Sequence, residues 1–448
     1  MYSTYTLATL SQEIVNTLGD PNNIYWSQAE VTYAIQEAMR EWGGLSSFWR
    51  QRGAWTIVPP KSVNPAKYFY DLSVVLPTLR SRTVTINDIL TEIQYHFLEP
   101  ANGYSGAGMT DQFTITELIQ AVVRARNRFV LDAMLPVSLT ESLAVVTDPS
   151  GRFPLPQNTV YLHRLMWIDS NGAYYPLYRS DGYAMDSLNP YWPQTPDRPS
   201  SFSQAETMPI QVQLDPVPIA SGSCEMLSVE SIPTFLSGAS LQVPDEWAHA
   251  IKYAAMSDVL SLDSDSSNPF LSAYCDFRYN AIVQAARVQK TVARIQVNNK
   301  PVGLSPLYSL DTLRPNWHTT PGTPDTAVCA YDLVAFSPLA NGTYGATADV
   351  VRSAPVPVNP TDTIQMGTEE LENILDYCQH YLSLKMNGEE FKSTFPLYDS
   401  YQKQAVRRNG ILANQARYLV PLFGQSSWDQ AKNPDAIEFD AQPALLGQ

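Results

Sequence analysis

Side chains able to do chemistry are scattered along this chain rather than gathered. Five histidines, His96, His163, His249, His318 and His380, fall in different stretches, and none has a second His or Cys at ligand spacing. Metal catalysis therefore has little support. Cys224, Cys275, Cys329 and Cys378 lie roughly fifty residues apart with no C-x-x-C, which reads as buried thiols, not a zinc site or a disulfide framework. Gly103-Tyr-Ser-Gly-Ala-Gly108 has the glycines of a phosphate loop but lacks Lys and follows a helical pattern instead of a strand. A flexible loop accounts for it better. Asp263-Ser-Asp-Ser-Ser-Asn268 opens like a calcium loop, yet Asn268 stands where Gly is needed and Tyr274 where Glu is needed.

Two pairs of adjacent acids, Asp245-Glu246 and Glu369-Glu370, resemble a general acid and base, but each stands at a helix start, where the dipole favours negative charge. There is no G-x-S-x-G elbow, no Walker sequence and no G-x-G-x-x-G after a strand. The aromatic run from Tyr174 to Trp192 could stack on pyranose rings, with Tyr191 and Trp192 as the contacts, although aromatic residues more often pack in cores and interfaces. Asn341-Gly-Thr343 fits a turn. No cofactor, metal or catalytic residue is expected, and the chain reads as a non-enzyme.

The elements around these residues are clearer. Leu7, Leu10, Ile14 and Leu18 recur at helical spacing until Gly19-Asp20-Pro21, and Ser27-Gln-Ala-Glu30 is a capping box that opens a second helix ending at Gly43-Gly44. Trp49 to Ile57 and Tyr68 to Leu72 predict a β-hairpin around a Pro-rich turn. Thr85-Ile-Asn-Asp88 and Thr114-Ile-Thr-Glu117 open two further helices. Short apolar runs separated by Pro, Gly, Ser and Asp then predict an antiparallel sandwich or barrel over 139–243.

From Pro244 to Ile295 a helical hairpin is expected. Tyr274, Phe277, Ala281, Ala285, Val288, Val292 and Ile295 form an almost heptad seam on one face of its second helix. Arg278, Arg287 and Arg294 fall on the opposite face, a candidate subunit interface. A shift of 124 residues, which carries Pro244 onto Thr368, sets Ile251, Tyr253, Leu260, Tyr274 and Phe277 on Leu375, Tyr377, Leu384, Tyr398 and Tyr401. That match suggests a repeated hairpin.

The fold class expected is α+β, with helical hairpins, an antiparallel sandwich or barrel-like region and extended Pro-rich arms. The boundaries are 1–138 for the N-terminal hairpins with a small β-hairpin, 139–243 for the β-rich domain, 244–296 for a helical hairpin, 297–367 for an extended arm with some strands, 368–420 for the second hairpin and 421–448 for a tail. At 448 residues two or three cores are expected. Only 16% of residues are charged, against about 25% in an ordinary soluble domain, and 34 prolines stiffen the connections. This suits a subunit packed against neighbours. The net charge of −15 argues against tight nucleic-acid binding, though an acidic passage would let DNA slide through. No secretion signal opens the chain and no run of 18 apolar residues occurs, so a cytoplasmic site of synthesis and no membrane are expected.

Two stretches carry a family resemblance. Leu18-Gly19-Asp20-Pro21, Trp26-Ser27, Glu30-Val31 and Ala34-Ile35-Gln36-Glu37-Ala38 followed by Trp42 resemble tailed-phage head-to-tail connector proteins of the neck. Ile210 to Leu214 with Asp215-Pro216-Val217-Pro218, Ile232-Pro233 and Val243-Pro244-Asp245-Glu246-Trp247 resemble them too. The resemblance implies a virion subunit in a ring, of twelve copies, beneath a portal protein and against tail or neck proteins, relaying genomic DNA. The other reading is a receptor- or glycan-binding tail protein using the β-rich domain.

Overall fold

The computed structural model describes residues 5–59, 69–97, 113–145, 152–188, 191, 196–204, 211–231, 238–262, 268–314, 317, 320–386 and 388–419. The chain opens with helices α1 (Leu7–Thr17) and α2 (Gln28–Ser46), then β1 (Arg50–Ile57), β2 (Phe69–Asp71) and the single turn α3 (Leu72–Val75). Helices α4 (Ile86–Phe97) and α5 (Ile115–Ala133) follow. The β region runs through β3 (Val137–Val145), β4 (Arg152–Pro154), β5 (Thr159–Ile168), β6 (Tyr174–Arg179), α6 (Gly182–Leu188), β7 (Ser201–Gln204), β8 (Gln211–Asp215) and β9 (Gly222–Glu230). Next come α7 (Ala248–Leu260) and α8 (Pro269–Val288). After them lie β10 (Val292–Val297), β11 (Lys300–Pro301), β12 (Gly303–Ser305), α9 (Leu307–Leu313), β13 (Pro321–Gly322), β14 (Thr326–Ala330), β15 (Leu333–Ser337), β16 (Leu339–Ala340) and β17 (Tyr344–Val351). Helices α10 (Thr368–Ser383) and α11 (Gly388–Leu419) close the described chain.

The α+β class is as expected. Ser27 and Glu30 form the predicted capping box, as do Thr114 and Glu117, and Thr85 exchanges the same bonds with Asp88. Helix α2 runs through Gly43-Gly44 to Ser46 instead of stopping there, and the left-handed residue at its end is Ser47. The glycines serve close approach: a Cβ on Gly44 would lie 2.7 Å from the Trp247 ring.

Hairpins distant in sequence pack in pairs. One core joins α4 and α5 to α7 and α8, and a second joins α1 and α2 to α10 and α11. The N-terminal 138 residues are therefore not a unit by themselves, because each of their hairpins buries its apolar face on a later one. In the β region, strands order β3-β9-β5-β6-β7-β8-β4. The sheet curls enough that Val145 and Phe153, from its opposite edges, share one core with Leu165, Trp167 and Met226.

Three expectations are corrected. The segment 297–367 is no extended arm, since its strands build two small sheets, β1-β17-β10-β11 and β12-β14-β15-β2, that enclose Ile295, Val334, Phe336, Ala346 and Val350. The predicted hairpin of β1 with β2 does not form; β1 pairs with β17 and β2 with β15, so each N-terminal strand completes a different sheet. Helix α8 ends at Val288, and Val292 to Ile295 belong to β10. The tail 421–448 and the glycine loop 103–108 lie outside the described residues.

Candidate functional site

Charge concentrates where the helical hairpins meet. Glu37 and Glu41 stand one turn apart on α2, on the same face as Ala34, Ala38 and Trp42, and are carried into the core with them. Lys252 of α7 and Arg278 of α8 meet them there, each about as buried as the leucines around it. Lys252 Nζ bonds the Glu37 carboxylate and lies 3.2 Å from Glu92 of α4. Arg278 Nη2 lies 2.7 Å from Glu41 Oε2 and donates to Tyr377 Oη, also at 2.7 Å, while Nη1 donates to Tyr274 Oη at 2.9 Å.

Tyrosines take up the remaining acceptor positions. Tyr253 and Tyr377 both donate to Glu37 Oε1, at 2.8 and 2.7 Å, and Tyr398 donates to Glu41 Oε1 at 3.0 Å. The Arg278 guanidinium also lies 3.9 Å from the Tyr398 ring centre and 4.4 Å from that of Tyr253. Tyr253 and Tyr377, and Tyr274 and Tyr398, are the pairs that the 124-residue shift superimposes. The two hairpins place matched tyrosines around one arginine.

Burial opposes ionisation of both α2 carboxylates, yet Lys252 holds Glu37 well below the ordinary range and Arg278 holds Glu41 at about 2. Burial pushes Glu92 the other way, up to about 7, with the Glu37 charge adding to it against the pull of Lys252. Burial also drives His380 down to about 3, leaving it neutral between Tyr274 Oη at 2.7 Å and Thr394 Oγ1 at 3.0 Å. The cavity beside Glu92, lined by Tyr33, His96, Tyr381 and Lys385 among others, measures about 10 Å³, room for about one water. An arrangement so enclosed, with its charges paired to one another, holds helices in place.

Comparison with protein-family models and with curated proteins finds no match for this chain.

Two further buried arginines stand at junctions between layers. Arg80 bridges Glu246 at 2.7 Å and Asp332 at 2.8 Å, tying the helices to the small sheets. Arg164 of β5 grips Asp311 of α9 through bonds of 3.0 and 2.9 Å. The acid pairs seen in sequence do more than meet a helix dipole. Asp245 accepts Thr83 N at 2.7 Å and Ser81 Oγ at 2.6 Å, and Glu370 meets Arg408 at 3.1 Å.

The three arginines proposed as a subunit surface part company. Arg278 is 1% exposed and enclosed by its own chain, so it does not lie on an outer face. The prediction failed because α8 is buried on two sides, through Leu271, Cys275, Arg278 and Ile282 and through Tyr279, Val283 and Ala286. Arg287 is exposed and donates to Asp132 O at 2.5 Å, at the carbonyl end of α5, where a cation is favoured. Arg294 is exposed on β10, so it shares no helical stripe with Arg287. Tyr191 is exposed, and Trp192 lies outside the described residues.

The apolar seam predicted for α8 turns outward in part: Phe277 is 48% and Val288 73% exposed, and Phe270 at 49% and Phe395 of α11 at 38% are exposed as well. Phe277 and Phe395 ring centres lie 6.3 Å apart. The buried cluster itself was missed in sequence. Its traces were two glutamates one turn apart on an apolar helix face, and a lysine inside the apolar run of α7. Among the described residues no group of three or more His, Cys, Asp or Glu converges as metal ligands would, and no helix is long and apolar enough to cross a membrane.

Proposed function

We propose that the chain is a non-catalytic virion subunit, a head-to-tail connector of a tailed phage that forms a ring below the portal and continues the DNA channel toward the tail. The observation that carries this reading is the set of outward apolar residues on α8 and α11, Phe270, Phe277, Val288 and Phe395, on a framework whose central buried charges, Glu37, Glu41, Lys252 and Arg278, are paired with one another. Large apolar side chains left exposed on packed helices call for a partner. A closed ring supplies neighbours to every copy. The resemblance of the α1–α2 hairpin and of the 210–247 stretch to connector proteins points the same way, and virion assembly in the host cytoplasm follows from it. Particle imaging tests the reading: a symmetric ring between head and tail is expected, of twelve copies, and a single asymmetric copy would overturn it.

A second reading keeps one observation of its own. Tyr178, Tyr183 and Tyr191 are 52%, 85% and 66% exposed in the β region, as a sugar-stacking face would require. Under that reading Tyr191→Ala or Trp192→Ala abolishes host adsorption and leaves particles intact. The connector reading expects normal adsorption from both.

A further inference from the structure

The sheet β1-β17-β10-β11 has one face in the core and one open. Gly53 and Ile57 of β1 point inward, and Arg50, Arg52, Ala54 and Thr56 are exposed on the other side. Register sets Arg52 opposite Asp349 of β17, and Asp349 opposite Arg294 of β10, so a row of Arg, Asp and Arg crosses three strands with Arg50 alongside. Arg52 bonds Asp349 at 2.9 Å and Arg50 Nε donates to Ser47 O at 3.2 Å, partly buried there, whereas neither Arg50 nor Arg294 has a carboxylate partner among the described residues. A basic patch thus stands open on a chain of net charge −15.

The complement lies on α10. Glu369, Glu372 and Asp376 fall at helical spacing along one stripe, and none of them has a cationic partner among the described residues. Partial burial, and then the charge of Glu372, push the Asp376 carboxyl up, as expected of acids crowded together without a cation. The dimensions agree. Seven helical residues span about 10 Å. Arg50 and Arg52 lie about 7 Å apart along their strand, and Arg52 and Arg294 about 10 Å apart across two strand spacings.

We infer that the open sheet face of Arg50, Arg52 and Arg294 docks on the Glu369, Glu372 and Asp376 stripe of a second copy of this chain. This rests on the ring reading and deepens it, because a head-to-tail contact between two different surfaces is what generates a ring. A nucleic acid is the poorer occupant. Three arginines, one already bonded to Asp349, would neutralise few phosphates, and each contributes only about 0.9 to the salt slope, while the rest of the chain repels the polymer.

The test uses two full-length variants, Arg50→Glu/Arg52→Glu/Arg294→Glu and Glu369→Lys/Glu372→Lys/Asp376→Lys, with folding followed by circular dichroism and assembly by sedimentation. Each variant alone presents like charges at the contact and should associate at least about tenfold more weakly than the unaltered chain. Mixed, they alternate, because every junction again pairs opposite charges, and assembly should return. If a triple variant does not fold, Arg294→Glu with Glu372→Lys is read in the same way. Unaltered assembly of either variant alone overturns the inference and leaves the ring reading standing, since that is judged on the symmetry of the particle. No association by the unaltered chain overturns it as well. So would normal assembly of the arginine variant together with loss of duplex binding, which would assign the face to nucleic acid.

Discussion

Arg278 and Arg294 were one surface in the sequence and are opposite settings in the molecule. Arg278 is enclosed by Glu37, Glu41 and four tyrosines, with 1% of its surface exposed, whereas Arg294 lies on an open sheet face with only Asp349 opposite. The first has its donors turned to its own chain; the second has a charge left for another. Residue type says little about role here, and the number of opposite charges within reach says most of it.

The largest separation should come from removing a buried cation. Arg278→Met leaves Glu41 and part of Glu37 ionised without their partner, and breaking a buried pair this way costs about 3–5 kcal/mol. Chemical denaturation should show that loss, and an unchanged midpoint would mean that the tyrosines alone hold the carboxylates. The three changes at Arg50, Arg52 and Arg294 should leave the fold intact.

A middle-sized effect sharpens the account of the cluster. Glu92 is raised from 4.5 to about 7, so the folded chain keeps a proton that the unfolded chain has released, and stability falls as pH rises between those values. The limiting slope is about 1.4 kcal/mol per pH unit. Glu92→Gln should remove that decline and stabilise the chain above pH 7. The sign is opposite for Glu41, whose folded value is about 2; its contribution is present above 4.5 and is lost as pH falls toward 2. Melting curves across pH check both limbs, and an identical slope in Glu92→Gln would contradict the assignment. The smallest effect belongs to the outer stripe, where Val288→Ser should change stability by no more than about 0.5 kcal/mol while weakening assembly.

What could be read in the sequence follows from what local patterns encode. The caps at Ser27, Thr85 and Thr114 were legible because a capping box is completed within four residues. The seam of α8 was misread because periodicity shows that a helix has an apolar stripe but not which stripe faces the core; Phe277 and Val288 point out while Cys275, Arg278 and Ile282 point in. The 297–367 segment looked like an arm because its strands are short and find partners over 200 residues away, as β17 does in β1. The tyrosine pairs of the repeated hairpin were visible as matched letters, and only the fold shows that they surround Arg278.

The most direct measurement takes Arg278→Met and Arg50→Glu/Arg52→Glu/Arg294→Glu side by side, recording thermal unfolding and sedimentation on the same samples. The first should lose stability, and the second should melt like the unaltered chain but fail to associate. A stable Arg278→Met chain that cannot assemble, beside an arginine-face variant that assembles normally, would contradict both expectations.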